Sequence, residues 1–486
     1  MSTTGSEHTA PSNKRALIAV DLGAESCRVS LLRWHQCAPK IHLVHRFTNG
    51  PVQRGTGLHW PLERIIAGVE EGLRKAAELA PEGIRSIAVD GWAVDYVRLN
   101  DQNHPIAEPF CYRDERNQRA ELELHKIVSP LRMREITCIQ QVPLNTLYQL
   151  YADRMSGYPP TRWLNLPEYL LARWGAEQVA EYTNATHTQL VDLDSQNWSR
   201  EIFRDAGLDI ELAPRIVPPG TLLGKLQGPL QQLPAFADTE LIAPACHDTT
   251  SAIAGIPAIG EDWAYISSGT WSLVGTVTNQ PIDGPTVRAE NFNNLGGIGG
   301  TNCFHKNVNG MWLLKQCQNE WAAQGHLPTI TELLAAAAEQ PTPVTLLDVD
   351  DPDLQRVGEM PQRINRQLIA KGATPLDEPP VNAPAFTALI LHSLAHRYAD
   401  VLSRVQHHTG KDLRRIFIVG GGSQNTLLNR LTSEATGMTV CCGSPESSTI
   451  GNFAVQLATL ESSTPASSIE FVQVVREWSM NLSSVF

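Results

Sequence analysis

The sequence predicts an α/β protein of two domains with a ligand cleft between them, and three observations carry this. A chain of 486 residues is too long for one hydrophobic core and suits two domains of roughly 200 to 250 residues each. Apolar, β-rich runs alternate with stretches of helical spacing, as they do in α/β folds. One device also occurs twice, near the start of each half: an apolar strand, a short turn of small and polar residues, and a second strand.

The first copy is "LIAVDLGAESCRVSLL", residues 17–32, an apolar run that reaches Asp21 and a glycine, turns, and resumes after Arg28. Glycine supplies unusual backbone angles in such a turn, and main-chain N–H groups are left free to face a ligand. A helix is expected over 62–80. The strand "IRSIAVDGWAVDYVRLN", 84–100, breaks at Asp90-Gly91 and resumes, with Trp92 and Asp95 after the break, at a strand end where open α/β sheets bind ligands. A second helix is expected over 117–127. The second copy of the device is "AYISSGTWSLVGTV", 264–277. The proline-containing stretch 340–384 reads as a surface loop and helix. A long helix is expected from Pro384 to Gly410, opened by proline and closed by glycine. "RRIFIVGGGSQNTLLNRL" then gives a strand, three glycines and a helix. Residues 463–486 carry a weak amphipathic signal and no chemistry.

Bulk composition excludes several functions. With 42% apolar and 19% charged residues, the chain has the make-up of an ordinary globular protein, and no run approaches the roughly 18 apolar residues of a membrane span. A net charge of −12 opposes nucleic-acid binding, which needs a basic surface, so any anion must be held locally. The polar opening "MSTTGSEHTAPSNK" lacks the apolar stretch of a secretory signal, which predicts a disordered tail over 1–14 and a cytoplasmic protein. Nine scattered cysteines form no C-x-x-C pair, so reduced thiols are expected, several of them buried.

Common nucleotide motifs are missing. "VGGGSQN" has Asn425 where a dinucleotide fingerprint needs glycine, and there is no P-loop, H-E-x-x-H or G-x-S-x-G. Three small-residue turns at strand ends would serve instead: 21–28, 267–270 and the glycines at 420–422. Each alone is an ordinary tight turn. Their joint occurrence in this order points to phosphate binding.

That order, with the words themselves, resembles the FGGY carbohydrate kinase family of the actin-like ATPase superfamily. The stretches that carry the resemblance are "AVDLGAES" with Arg28, "VDGWAVD" at 89–95, "YRDERN" at 112–117, "LNTLYQL" at 144–150, "YTNATHTQLVDL" at 182–193, "HDTTSA" at 247–252, "YISSGTWSL" at 265–273 and "VGGGSQNTLLN" at 419–429. It spans about residues 16–460. The resemblance implies two ribonuclease-H-like domains, a sugar-side domain over 15–256 and a nucleotide-side domain over 257–462, followed by a C-terminal extension, 463–486. It implies ATP-dependent phosphorylation of a sugar, with ATP and Mg²⁺ as cofactors and no nucleic-acid or membrane partner; the oligomeric state is not readable.

Carried onto this chain, the resemblance assigns Ala24, Glu25, Ser26, Cys27, Arg28, Thr270, Lys315 and Gly421 to ATP. It assigns Ala93, His247, Asp248, Thr249 and Asn307 to the sugar, with Asp248 as the base and Asp21 and Asp248 at the metal. Residue chemistry agrees: Mg²⁺ takes one or two carboxylates plus phosphate oxygens, and a carboxylate can take the proton of an attacking hydroxyl. Arg28 would either offset phosphate charge or make a surface ion pair, and Trp92 and Asp95 would give the sugar an apolar wall and a hydroxyl acceptor. Three residues depart from the family pattern: Cys27 and Ala93 stand where glycine is expected, and Lys315 where glutamine is usual. The expected acceptor is L-rhamnulose, with L-fuculose, xylulose and glycerol as alternatives. The alternative of another class is an actin-like ATPase acting as chaperone or filament.

Overall fold

A computed structural model of the chain describes residues 10–325, 328–377 and 382–483. The chain forms two compact α/β units. One comprises the residues up to Ile259, Val277–Cys303 and those from Glu446 onward; the other comprises Gly260–Thr276 and Phe304–Pro445.

The first unit is built on a sheet ordered Thr221–Lys225, Glu240–Ala243, Ile84–Gly91, Ala16–Leu22, Ser26–His35, Ala38–Thr48. The opening strand and the next form the expected hairpin, with Leu22 opposite Cys27. The hairpin continues antiparallel into Ala38–Thr48. On its other edge the opening strand runs parallel to Ile84–Gly91, which in turn runs parallel to Glu240–Ala243.

The opening strand is apolar throughout because both its faces are covered. Ala16, Ile18, Val20 and Leu22 enter one core with Ile65, Val69 and Leu73 of the helix Leu62–Leu79. Leu17 and Ala19 enter a second core with Ile450, Phe453 and Leu457 of the helix Ser447–Glu461 and Phe471 and Val475 of Ile469–Ser483. The stretch beyond 463, read as a C-terminal extension with a weak amphipathic signal, contributes Phe471 and Val475 to this core. Its Arg476 is buried and donates to the carbonyls of Ile256 (2.6 Å) and Ile253 (3.3 Å), at the end of the helix Asp248–Ala254.

The helices Asp248–Ala254 and Ser447–Glu461 cross at van der Waals distance through two glycines. A Cβ at Gly451 would lie 1.8 Å from the Ser251 carbonyl oxygen, and one at Gly255 2.4 Å from that of Ser447. Only glycine fits there.

The second unit repeats the plan. Trp263–Ser268 and Trp271–Thr278 form an antiparallel hairpin, and Trp263–Ser268 runs parallel to Arg415–Val419, which runs parallel to Thr439–Cys442. The predicted long helix is present as Ala383–Thr409, ended by Gly410 at φ +69°. The 340–384 stretch contains the helix Met360–Ala370, and residues 378–381 of that stretch lie outside the described residues.

Residues 1–9 of the expected tail also lie outside the described residues. From Ser12 the chain is tied down: Ser12 N–H donates to Glu461 Oε2 (2.8 Å) and Lys14 Nζ to the Gln36 carbonyl (3.1 Å). All nine cysteines are free thiols, six of them buried. No helix among the described residues is long and apolar enough to cross a membrane.

Candidate active site

In the first unit three neighbouring strands bring their C-terminal ends together. Asp21 and Asp90 are register partners on adjacent parallel strands. Gly91 N–H donates to the Cys246 carbonyl (2.9 Å), which sets His247 and Asp248 beside that same edge. The sheet register thus gathers three carboxylates that are far apart in sequence.

Asp21 is buried, accepts from Ser448 Oγ (2.8 Å) and stands 3.4 Å from Arg28 Nη2. Arg28 also pairs with Glu446 at 2.6 Å. It is therefore neither a surface ion pair nor free, but a guanidinium paired with two carboxylates of an acidic cluster. Burial pushes the Asp21 carboxyl up, against the pull of Arg28. Asp90 is fully buried; its Oδ2 accepts from Asn452 Nδ2 (2.6 Å), and its Oδ1 has no partner among the described residues. Burial first, then the Asp21 charge, push it well above the usual carboxylate range.

Asp248 differs from both. It begins the helix Asp248–Ala254, and its side chain keeps 34% of its surface open. Desolvation in its recess, then Asp21, push its carboxyl up to about 7, although Thr249 Oγ1 donates to its Oδ1 at 3.1 Å. A carboxylate that is open on one side and poised near neutrality suits a general base.

The main chain leading to Asp248 is held from behind. Glu181 Oε2 accepts from Cys246 N–H (2.8 Å), and Thr183 Oγ1 accepts from His247 N–H (3.2 Å). Glu181 is fully buried and also receives Thr183 N–H at 2.8 Å, so its oxygens are satisfied without a cation.

The turn 24–28 lies at the hairpin tip beside Asp21. The main-chain N–H groups of Ala24 and Glu25 donate to no acceptor among the described residues. Ser26 receives Arg46 (3.2 Å). The Cys27 side chain is fully buried, with Sγ 3.8 Å from the Gly23 carbonyl of the turn and the thiol pushed up to about 12.

Ala93 is buried in the segment that follows Gly91. Asp95 does not match its expected role. It is fully buried, with Oδ2 accepting from the Trp60 and Trp92 indoles and Oδ1 from Gln149 Nε2 (3.0 Å), so it braces the bend and has no oxygen spare for a sugar.

The second unit holds Thr270, Lys315, Gly421 and Asn307. The Thr270 carbonyl accepts from Gly310 and Trp312 N–H, both at 3.2 Å, which ties the exposed hairpin tip to the start of the helix Trp312–Ala323. Lys315 is exposed on that helix. The glycine turn packs on the strand ending at Ser268: Gly420 adopts φ +80°, and a Cβ at Gly422 would lie 2.0 Å from Ser268 Oγ. Gly421 between them has an open face, with nothing within 4 Å of a Cβ. Asn307 is half-buried in the strand Asn302–Asn309.

These donor sets fit a metal-bound nucleotide. Four carboxylates (Asp21, Asp90, Asp248, Glu446) surround one guanidinium, and a buried carboxylate oxygen lacks a donor. One or two of these carboxylates, Asp21 first, are the hard oxygen ligands that Mg²⁺ takes alongside phosphate oxygens. Among the described residues no group of three or more His, Cys, Asp or Glu forms a metal cage, so phosphate oxygens would complete the shell.

The chain belongs to the FGGY family of carbohydrate kinases, and as a member of it uses ATP: the family's N-terminal domain matches residues 16–255 and its C-terminal domain residues 264–460. A rhamnulokinase of Enterococcus faecalis (strain ATCC 700802 / V583) is 34% identical over 455 residues, 91% of this chain and 89% of that one. Solved structures share the fold. A gluconate kinase from Lactobacillus acidophilus superposes with a TM-score of 0.74 at 15% identity, over 94% of this chain and 92% of that one. A xylulose kinase from Rhodospirillum rubrum gives 0.74 at 15% identity, over 97% and 99%. The glycerol kinase of Plasmodium falciparum with ADP gives 0.72 at 11% identity, over 95% and 92%. Family membership makes the chain a sugar kinase rather than a chaperone or filament ATPase.

Sequence reading passed over Glu446, Ser448, Asn452, Glu181 and Thr183. The signal that could have found the first three is "PESSTIGN", where small residues and a glycine precede an apolar helix.

Proposed function

We propose that the protein phosphorylates L-rhamnulose with ATP to give L-rhamnulose 1-phosphate, in the breakdown of L-rhamnose. The observation that carries the reaction type is the half-open Asp248, poised near neutrality beside Asp21. The 34% identity to a rhamnulokinase along 91% of the chain supports the sugar.

In this reading the sugar 1-hydroxyl attacks the γ-phosphorus. An O–P bond forms, the bond to the β,γ-bridging oxygen breaks, ADP leaves, and the hydroxyl proton passes to Asp248. His247 and Thr249 orient the hydroxyl, and Ala93 contacts the sugar. Turn 24–28 receives phosphate oxygens on the N–H groups of Ala24 and Glu25. Within the second unit, Thr270, Lys315 and Gly421 are the residues for the nucleotide and Asn307 the one for the sugar. Asp21, with Asp248 nearby, would hold Mg²⁺, which would supply positive charge to the phosphates. Arg28, 3.4 Å away, holds the Asp21 carboxyl in place and pulls it toward the ionised form, against the burial that pushes it up.

Replacement of Asp21 with alanine is expected to raise the Mg²⁺ concentration for half-maximal rate at least tenfold or to abolish turnover. A titration of rate against Mg²⁺ checks this, and an unchanged midpoint would make Asp21 a structural partner of Ser448.

The sugar is tested by ADP release with L-rhamnulose, L-fuculose, D-xylulose, L-ribulose, glycerol and L-rhamnose. L-rhamnulose is expected to give the highest kcat/KM. L-rhamnose, an aldose, has no primary alcohol at C1 beside a keto group and is expected to be poor. Another acceptor tenfold better than L-rhamnulose would leave the kinase and replace the sugar.

A further inference from the structure

We propose that His187 is a positioning residue for the phosphoryl transfer, acting through His247 on Asp248. Its Nε2 lies 3.1 Å from His247 Nδ1, and the two rings are 4.0 Å apart at centroids. His247 is buried, and its other nitrogen, Nε2, stands 3.4 Å from Asp248 Oδ1. Thr250 Oγ1 is also 3.1 Å from His247 Nδ1. The inference rests on the reading of Asp248 as the base.

Proton placement follows from valence. A neutral imidazole has one donor and one acceptor nitrogen, and an ionised carboxylate only accepts. His247 Nε2 stands 3.4 Å from a carboxylate oxygen, and a proton on Nε2, facing that oxygen, leaves Nδ1 as the acceptor. A bare Nδ1 in a buried site needs a donor, and His187 Nε2–H supplies it. The Thr250 hydroxyl, 3.1 Å from the same nitrogen, can rotate to donate or to accept and so does not fix the tautomer.

The order His187, His247, Asp248 then runs in one direction: each N–H points toward Asp248. Oδ1 accepts from Thr249 and has His247 Nε2 at 3.4 Å, and Oδ2 is left to accept the hydroxyl proton. Loss of the donor at 187 permits the other His247 tautomer, whose bare Nε2 would face the carboxylate and repel it.

His187 itself is fixed from the opposite side. Its N–H donates to the Asn184 carbonyl (3.1 Å), and its carbonyl accepts from Asn145 Nδ2 (2.9 Å). It closes the helix Tyr182–Thr186, whose preceding Glu181 and own Thr183 clamp the main chain of Cys246 and His247. One short segment thus holds both the backbone and the side chain next to the base.

The test compares His187→Leu, which removes the donor, with His187→Gln, whose amide N–H can reach the same nitrogen. Expected is a kcat about tenfold lower in His187→Leu with the KM for ATP unchanged, and a return to within about threefold of the parent in His187→Gln. Equal impairment of both variants, or none in His187→Leu, overturns the proposal. Asp248→Asn is run alone and with His187→Leu. If His187 acts through the base, the double variant is no slower than Asp248→Asn; a further tenfold loss overturns it. Imidazole ¹⁵N spectra of the unmutated protein need no variant to fold and do not depend on the base assignment. A bare Nδ1 and protonated Nε2 on His247 are expected, and the reverse pattern overturns the proposal even if Asp248→Asn abolishes turnover. Near-parental turnover in Asp248→Asn with the expected spectrum keeps the His187–His247 bond and removes the base reading instead.

Discussion

Asp248→Asn is expected to lower kcat by about 10² to 10⁴ while leaving affinity for ATP and sugar within a few-fold, because an amide fills the same space and cannot take a proton. The side chain makes no contact that the fold depends on: its partners are Thr249 and the nearby His247, and about a third of its surface is open. Binding measured by calorimetry and turnover measured by ADP release separate the two effects. Turnover within a few-fold of the parent would remove Asp248 from the chemistry. The parent's pH profile has a defined sign. The base works ionised, and its carboxyl is pushed up to about 7, so kcat/KM should rise with unit slope on the acid side and level off above about pH 7. A limb near pH 4, the range of an unperturbed aspartate, would mean that another group governs the rate.

The second large effect is expected at Gly451→Ala. The added methyl carbon would sit 1.8 Å from the Ser251 carbonyl oxygen and 2.8 Å from Gly255 N, and neither is the end of a flexible chain. The crossing of two helices must open. Overpacking against backbone costs about 3 kcal/mol or more, at the upper end of single substitutions. Activity should fall with stability, since the same helix presents Ser448 to Asp21 and Asn452 to Asp90. Gly50→Ala is the control, because nothing lies within 4 Å of a Cβ there. Urea midpoints for both variants check the claim; equal midpoints would show that the helices cross more loosely than the structure has them.

Local signals in the sequence were sufficient for the strands and turns. Both hairpins lie where apolar runs flank small residues, and the helix at Ala383–Thr409 lies where proline and glycine bound it. Asp21 and Arg28 were legible because a charge inside an apolar run needs a reason. The rest of the site depends on register and on segments that meet across the chain. Asp90 pairs with Asp21 only once two parallel strands align, and Asn452, 362 residues away from Asp90, has no local mark. Asp95 was misread for the same reason: its donors, from Trp60, Trp92, Gln149 and the main chain of Tyr112, are set by tertiary contacts that no spacing reveals.

The return of the chain to the first unit after Pro445 has a consequence for synthesis. Its central sheet is complete once Ala243 has emerged, but the helices that cover Leu17, Ala19 and Leu32 lie beyond Glu446. At ~5–20 residues per second, the roughly 190 residues between Ile259 and Glu446 take on the order of 10–40 s to translate. For that interval the nascent chain carries a finished sheet with one apolar face uncovered. That face is the surface a ribosome-associated chaperone would bind, and release from it should coincide with the emergence of Phe453 and Phe471.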